Sequence, residues 1–242
     1  MENAAFCEED DFELINGRSI MMLPRPSVDH NRVVSNVNRI FQVYLRGKRC
    51  EAFSDGVEVH FDEDNVFVPD AMIVCNRDII KRKGIFGAPD LVVEVLSPRT
   101  TKNDRGEKKG IYEKYGVREY WLADPLARSI EVYVLQDGKF RSDNVYHTYS
   151  AEVWEDMTEE ERAESQLSLK VSLYDDFVVD VREVFERVGA FAGRRLLSCS
   201  ASDSFRGTGV GKCGMEIQKR LPVGIDDFKE MRENCYFVDS SG

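Results

Sequence analysis

The chain has 242 residues, 42% of them hydrophobic and 32% charged, with a formal net charge of -11 at pH 7. That suits one substantial core, or one domain with an appendage. No apolar stretch approaches the ~18 residues a membrane span needs, and the acidic opening MENAAFCEEDDFE lacks the basic and apolar regions of a signal peptide, so a cytoplasmic protein is expected.

In chain order, DFELINGRSIMMLP reads as a hairpin turning at Asn16-Gly17, a pair suited to the positive φ angles of tight turns. A helix is predicted from Ser27, a plausible N-cap, because Val33, Val34, Val37, Ile40, Phe41 and Tyr44 recur at three- and four-residue spacing up to about Gly47. EAFSDGVEVHF and VFVPDAMIV follow as strands. The basic connector NRDIIKRKGIFG then leads into APDLVVEVLSPRT, an apolar strand with Glu94 at its centre. Thr100 to Tyr115 is a second, polar helix candidate ending at Gly116, although Gly106 and Gly110 weaken it at ~1 kcal/mol each. EYWLAD, SIEVYVL, KFRS and NVYHTYS read as later strands, with a turn at Asp137-Gly138. The pattern is a mixed α/β sheet with its helix connections concentrated before Glu119.

Residues 152–164 hold seven acidic side chains and one Arg, which fits a solvated loop or an exposed helix. A short strand and VVDVREVFERV close the domain, placing it at 1–188. From Gly189 the composition shifts to Gly, Ser and basic residues, as in a linker, and no phosphate-binding loop is present in 189–242. Cys7, Cys50, Cys75, Cys199, Cys213 and Cys235 are scattered without a C-x-x-C pair, so free thiols are expected rather than a zinc site or a disulfide framework.

Net negative charge argues against a nucleic-acid partner, but its uneven distribution along the chain argues the other way. Residues 77–118 carry 11 Lys or Arg against 6 Asp or Glu. Such a patch attracts phosphate locally, with a solvated charged face as the alternative.

Glu94 demands explanation, because a buried, unpaired carboxylate costs several kcal/mol. It needs a cation partner, a hydrogen-bond network, a raised pKa or a metal. Asp90 shares its face of the strand but lies about 13 Å along the chain, too far to share an ion. Asp70 also interrupts an apolar strand, and a neighbouring strand is only about 4.8 Å away. Two carboxylates so placed, with a backbone carbonyl and water, suit Mg²⁺ or Mn²⁺. The alternatives are separate pairing with Arg or Lys, or exposure at strand ends.

VPDAMIVC, PDLVVEVLSPRT, TKNDRGEKKGIYEKYGVREYWLADP and FELINGRSIMMLPRPSVDHNRV together resemble the Uma-two family of restriction-endonuclease-like proteins, within the PD-(D/E)xK nuclease superfamily, over roughly residues 10 to 187. The resemblance implies the restriction-endonuclease-like α/β fold, a mixed central sheet flanked by helices, and divalent-metal-dependent phosphodiester hydrolysis, with DNA as the expected substrate. Asp70 and Glu94 match the metal-binding acids, and the carbonyl of Val95 a third ligand. The superfamily lysine two residues after the second acid is replaced by Leu96. In the resembled family the positions of Asp104, Lys108 and Tyr112 form a D-x-x-x-K-x-x-x-Y pattern, which makes Lys108 the candidate migrated lysine; its alternative is an exposed ion pair with Asp104. Tyr112 is expected to be half core and half hydrogen-bond donor.

Glu13 and His30 match the family's ELI-x-G and PS-x-x-H segments: Glu13 as a further acid near the metal, His30 as a packed, hydrogen-bonded helix residue. His60, His147, Tyr120 and Trp121 are expected only to pack. Similar folds often dimerise, so a homodimer is a further expectation. A non-catalytic protein that keeps the nuclease fold is the alternative function, and RNA an alternative substrate. LPVGIDDFKEMRENCYFVDSSG resembles the opening segment of bacterial AAA-ATPase-like proteins, without implying ATPase activity.

Overall fold

The computed structural model describes residues 12–21 and 25–190. The acidic N-terminus and the ATPase-like tail lie outside the described residues, as does nearly all of the expected linker.

The chain opens with β1 (Phe12–Ile15) and β2 (Arg18–Met21). Asn16 and Gly17 between them have φ of 50° and 72°, as the expected tight hairpin turn requires. Helix α1 (Val28–Leu45) starts at Ser27, whose hydroxyl accepts from the His30 N–H at 3.2 Å. This satisfies one of the amides that a first turn leaves unpaired. Val33, Val34, Val37, Phe41 and Leu45 form its buried face.

β3 (Glu51–Ser54), β4 (Val59–His60), β5 (Val66–Phe67) and β6 (Ala71–Val74) follow, so each of the two strands expected here is divided. Gly56, at φ 93°, lies in the first break. Pro69, which has no amide hydrogen to give a ladder, lies in the second. The basic connector folds into a hairpin, β7 (Ile80–Lys81) and β8 (Gly84–Phe86). β9 (Leu91–Val95) is the strand with Glu94. The second expected helix is one stretch in three pieces: α2 (Thr101–Asn103), a π-helical turn over Asp104–Lys108, and α3 (Lys109–Tyr115), ended by Gly116 at φ 86°. A Cβ added at Gly106 or Gly110 would meet no atom within 4 Å, so no described backbone depends on their lack of a side chain.

β10 (Glu119–Asp124), β11 (Ser129–Gln136) and β12 (Lys139–His147) complete the principal sheet. KFRS and NVYHTYS merge into β12, where an irregularity in register opposite Val132/Tyr133 absorbs the interruption. The acidic segment forms α4 (Ala151–Asp156) and α5 (Glu159–Glu164), the latter begun by a capping box of Thr158 and Glu161. β13 (Ser168–Lys170), β14 (Val178–Asp180) and α6 (Val181–Val184) follow.

The principal sheet has the order β12-β11-β10-β9-β6-β3, antiparallel except between β9 and β10. The parallel pair needs a crossover, and the α2–α3 stretch supplies it. A second sheet has the order β2-β1-β5-β4-β8-β7. The fold is therefore the expected mixed α/β sheet with helical layers. One core joins α1, α6, β13 and β14 to the face of the principal sheet bearing Leu91, Val93 and Val95. The other joins α3 and the second sheet to the face bearing Val92 and Leu96. Phe41 is fully buried in the first core, with Trp121 and Phe177 at 5.6 and 6.0 Å between ring centroids. Truncating such a residue to Ala costs about 3–5 kcal/mol. Trp121 and Tyr120 are both core residues, as expected.

The cysteine expectation needs correction. Cys50 and Cys75 form a disulfide, with Cα atoms 4.0 Å apart. The last registered pair of β3 and β6 is Glu51 with Val74, so the next residue of each strand meets the other. Only strand pairing brings these cysteines together, and their sequence spacing does not announce it. Digestion of unreduced protein should yield a peptide containing Cys50 linked to one containing Cys75. Free thiols at both positions, shown by complete alkylation without reductant, would contradict the bond.

Candidate active site

Strand alternation turns Glu94 toward the second core, with Val92 and Leu96. It is 3% exposed, and the partner that such burial demands arrives from the π-helical turn. Lys108, also 3% exposed, places Nζ 2.7 Å from Glu94 Oε1 and 2.9 Å from Glu13 Oε1, with Asp104 Oδ1 at 3.8 Å. Tyr112, one turn further, donates its hydroxyl to the same Oε1 at 2.6 Å. Phe67 covers the ammonium, its ring centroid 5.4 Å from Nζ. Glu13 on β1 is itself fixed by the Val68 N–H at 2.9 Å. Two sheets and one helical stretch thus converge on a single ammonium.

The cluster is short of positive charge. Burial pushes the Glu94 carboxyl well above the usual carboxylate range; Lys108 opposes this, while Asp104, Asp70 and Glu13 reinforce it. Burial works against the charge of Lys108, but Glu94, Glu13 and Asp104 outweigh it and hold the ammonium well above the ordinary lysine pKa. Burial and then Glu94 raise the Tyr112 phenol, so it remains a protonated donor. Burial likewise raises the Asp104 carboxyl, whose Oδ2 is buried without a hydrogen-bond partner.

Asp70 stands across the strand pair. β6 and β9 are registered Ala71 with Val93, and one further step sets Asp70 opposite Glu94. Asp70 Oδ2 accepts from the Val95 N–H at 2.6 Å, while Leu96 N–H turns the other way to Ala123 of β10. A residue's N–H and C=O point to the same side of a strand, so the Val95 carbonyl also faces the β6 side. The same register would put Pro69 there, with no N–H to offer. His30 comes from the first turn of α1, its Nε2 3.4 Å from Asp70 Oδ1. Burial lowers the basicity of His30, but its hydrogen bond to Asp70, the Asp70 charge and the Val95 carbonyl outweigh it and raise its pKa.

Of the expected residues, the structure brings Glu13, Glu94, Lys108 and Tyr112 into direct contact, and sets Asp70 and Val95 at the adjoining strand ends. Lys108 is buried rather than in an exposed pair with Asp104. Tyr112 is entirely core and a donor. Asp90, set aside for its distance, accepts from Cys75 N–H at 2.7 Å at the other end of β9. His60 packs on Phe86 at 4.4 Å and pairs with Glu58, whereas His147 is exposed rather than packed. His30 is packed and hydrogen-bonded, as expected, and its partner is Asp70. Its signal was present: residues 30, 33, 34, 37 and 41 share one helical face, so the apolar stripe of α1 carries His30 inward.

Among the described residues no group of three or more His, Cys, Asp or Glu stands close enough to hold a metal ion. The donors suited to a hard divalent ion are instead the Asp70 and Glu94 carboxylates and the Val95 carbonyl. Three carboxylates around one ammonium, with Asp70 opposite Glu94 on the neighbouring strand, give the excess of acids that such an ion would offset.

Removing one partner from a buried ion cluster costs about 3–5 kcal/mol. Lys108→Ala should therefore lower unfolding free energy by about that amount in urea denaturation, and Tyr112→Phe by about 1–2 kcal/mol through one lost hydrogen bond. A Lys108→Ala loss below about 1 kcal/mol would show that the buried network does not hold in solution.

The family model described as "Putative restriction endonuclease", Uma2, matches residues 2–171. Two uncharacterized proteins of Synechocystis sp. are similar: one is 26% identical over 125 residues, covering 50% of this chain and 70% of its own, and the other 28% identical over 113 residues, covering 46% and 60%. A crystal structure from Anabaena variabilis ATCC 29413, described as a "putative nuclease belonging to DUF820", matches with a TM-score of 0.55 at 22% identity, over 73% of this chain and 90% of that one. That likeness shows that the two chains share a fold. With the family match spanning more than half of its length, the chain belongs to the Uma2 family of restriction-endonuclease-like proteins.

Proposed function

We propose that this protein is a divalent-metal-dependent nuclease that hydrolyses phosphodiester bonds, with DNA as substrate. The observation that carries the reading is Lys108 Nζ 2.7 Å from Glu94, the charge that the missing E-x-K lysine would have brought, delivered from a different element. Membership of a restriction-endonuclease-like family supports the reaction class and DNA.

A Mg²⁺ or Mn²⁺ ion, when bound, supplies Lewis-acid polarisation of the phosphate and a more acidic water. Asp70, Glu94 and the Val95 carbonyl would hold it. Glu94 would give Oε2, since Lys108 and Tyr112 both occupy Oε1. Lys108 keeps its proton at Nζ and therefore acts by charge, offsetting negative charge that develops on the phosphate, rather than as a base. Tyr112 fixes the Glu94 rotamer and Glu13 fixes the ammonium. Lys81, Arg82 and Lys83 are exposed on the β7–β8 hairpin, without an ion pair among the described residues. They offer phosphate a landing charge that the acidic remainder does not.

A second reading, a nuclease fold retained for binding alone, is favoured by Leu96 at the lysine position and by the engagement of Glu94 with Lys108. Calorimetric titration of Mg²⁺ and Mn²⁺ into wild type, Asp70→Ala and Glu94→Ala, with each mixture assayed on single- and double-stranded DNA, separates the two. The nuclease reading expects binding lost in both variants and metal-dependent cleavage that falls by about 10²-fold or more without either acid. Metal at about 100 times its Kd should also stabilise the wild type by about 2.7 kcal/mol. Binding without cleavage of either substrate would select the binding module, and binding indifferent to both substitutions would dismiss the metal site.

A further inference from the structure

We infer that the β7–β8 hairpin is a phosphate-binding surface separate from the acidic cluster, fixed in place to grip the backbone of a DNA duplex whose neighbouring phosphates lie at Glu94 and Lys108. The inference rests on DNA as the substrate and adds where, and in what form, the chain holds it.

The hairpin is a basic tip on an acidic chain. Residues 77–87 carry Arg77, Lys81, Arg82 and Lys83 against Asp78 alone, in a chain of net charge -11. Arg77 pairs with Glu51 at 3.1 Å, and Glu58, beside the hairpin stem, pairs with His60 at 2.9 Å. Lys81, Arg82 and Lys83 are exposed and have no acidic partner among the described residues. Protection of an open sheet edge accounts for a lysine on β7. It does not account for Arg82 and Lys83, which lie in the turn beyond the last registered pair, Lys81 with Gly84. Three adjacent cations repel one another, and the anions of a phosphate backbone relieve that repulsion.

The tip stands on a rigid base. Ile85 is buried in the second core, with Ile79 and Ile80 packed against it. The Ile85 and Gly87 N–H groups donate to the Glu58 and His60 carbonyls at 2.8 and 3.0 Å. Gly84 permits this approach, because a Cβ there would stand 2.6 Å from the Glu58 carbonyl oxygen. A mobile basic loop suits any flexible polyanion, whereas a fixed one favours a polyanion of fixed shape.

Register relates the tip to the acidic cluster. Leu14 pairs with Val66, which sets Glu13 opposite Phe67; Phe67 pairs with Val59, Val59 with Ile85 and Ile85 with Ile80. One row across the second sheet thus runs from Glu13, the partner of Lys108, to the base of the hairpin, four strand spacings or about 19 Å away. Passing from Phe67 to Val68 on β5, toward Asp70, and from Ile80 to Lys81 on β7 leaves that row in the same direction. The basic tip and Asp70 therefore lie toward one end of the sheet. A duplex rising about 3.4 Å per base pair covers that span in about six base pairs and is stiff enough to meet both places at once. A single strand would first have to be ordered.

The test reads binding without metal, so that it stands apart from cleavage. The protein is titrated in EDTA, at several salt concentrations, with a fluorescent duplex of about 30 base pairs and with one of its strands, and log K is plotted against log salt. Each phosphate contact contributes about 0.9 to the slope on duplex, so Lys81→Gln, Arg82→Gln and Lys83→Gln combined should flatten it by about 2 to 3, and by less than about 1 on the single strand. Combined Arg46→Gln, Arg141→Gln and Lys170→Gln removes the same charge from exposed positions outside the second sheet and should flatten it by less than about 1. Combined Lys81→Arg, Arg82→Lys and Lys83→Arg should keep the wild-type slope. Equal flattening by the two glutamine sets would overturn the inference in favour of net charge alone, and equal flattening on duplex and single strand would overturn the preference for a duplex. A slope lost in the charge-preserving set would overturn the electrostatic grip. Absence of duplex binding by the wild type would overturn both the inference and DNA as the substrate. Hairpin-dependent duplex binding without metal-dependent cleavage would uphold the surface and remove only the nuclease reading.

Discussion

The buried ammonium of Lys108 is the constraint on which the rest of the site depends. An isolated charge of this kind would be expelled from a core, and an isolated Glu94 would cost several kcal/mol. Each makes the other tolerable. The arrangement draws on distant pieces of chain: β1 contributes Glu13, β9 contributes Glu94, and the π-helical turn contributes Lys108 and Asp104. Such a network is weak evidence for stability as such, because a well-packed apolar replacement often stabilises as much. One carboxylate oxygen of Asp104 is left without a hydrogen-bond partner within it.

Glu119 provides an internal contrast. It too is a buried strand carboxylate, fully shielded from solvent. Trp121 Nε1 and the Ser172 N–H donate to its two oxygens at 2.6 and 2.7 Å, so its burial is answered by neutral donors that tie β10 to the segment after β13. Glu94 is answered by an ammonium and a phenol, while the neighbouring carboxylates oppose its charge. One acid completes a structural joint, and the other belongs to a charged cluster at the edge of a broken strand pair. Glu119 opens β10 whereas Glu94 lies within β9, and the physical difference between them lies in what surrounds each carboxylate.

Charge and redox chemistry set further bounds. The surplus of Lys and Arg over 77–118 is partly consumed by pairs such as Arg105 with Glu131 and Arg118 with Asp90, so the regional count overstates the surface available to phosphate. Among the described residues no helix is long and apolar enough to cross a membrane. The Cys50–Cys75 disulfide is of a kind more common in oxidising compartments, which pulls against the cytoplasmic expectation drawn from the acidic N-terminus.

Much of the fold was legible from local signals. Asn16-Gly17, Asp137-Gly138 and Gly116 need positive φ, Ser27 caps a helix, and the spacing of Val33, Val37 and Phe41 fixes which face is buried; each depends on neighbours in sequence. The opposition of Asp70 and Glu94 was also within reach, because two apolar strands each interrupted by an acid invite pairing. The sequence by itself therefore determined the elements, the anomaly at Glu94 and the short list of charged residues able to answer it. Only the tertiary structure decided that Lys108 is buried, that Glu13 shares it, that His30 meets Asp70 and that Cys50 meets Cys75. These last three contacts join residues 25 to 95 positions apart, depend on strand register and on the widened turn at Asp104–Lys108, and leave no periodic mark in the chain.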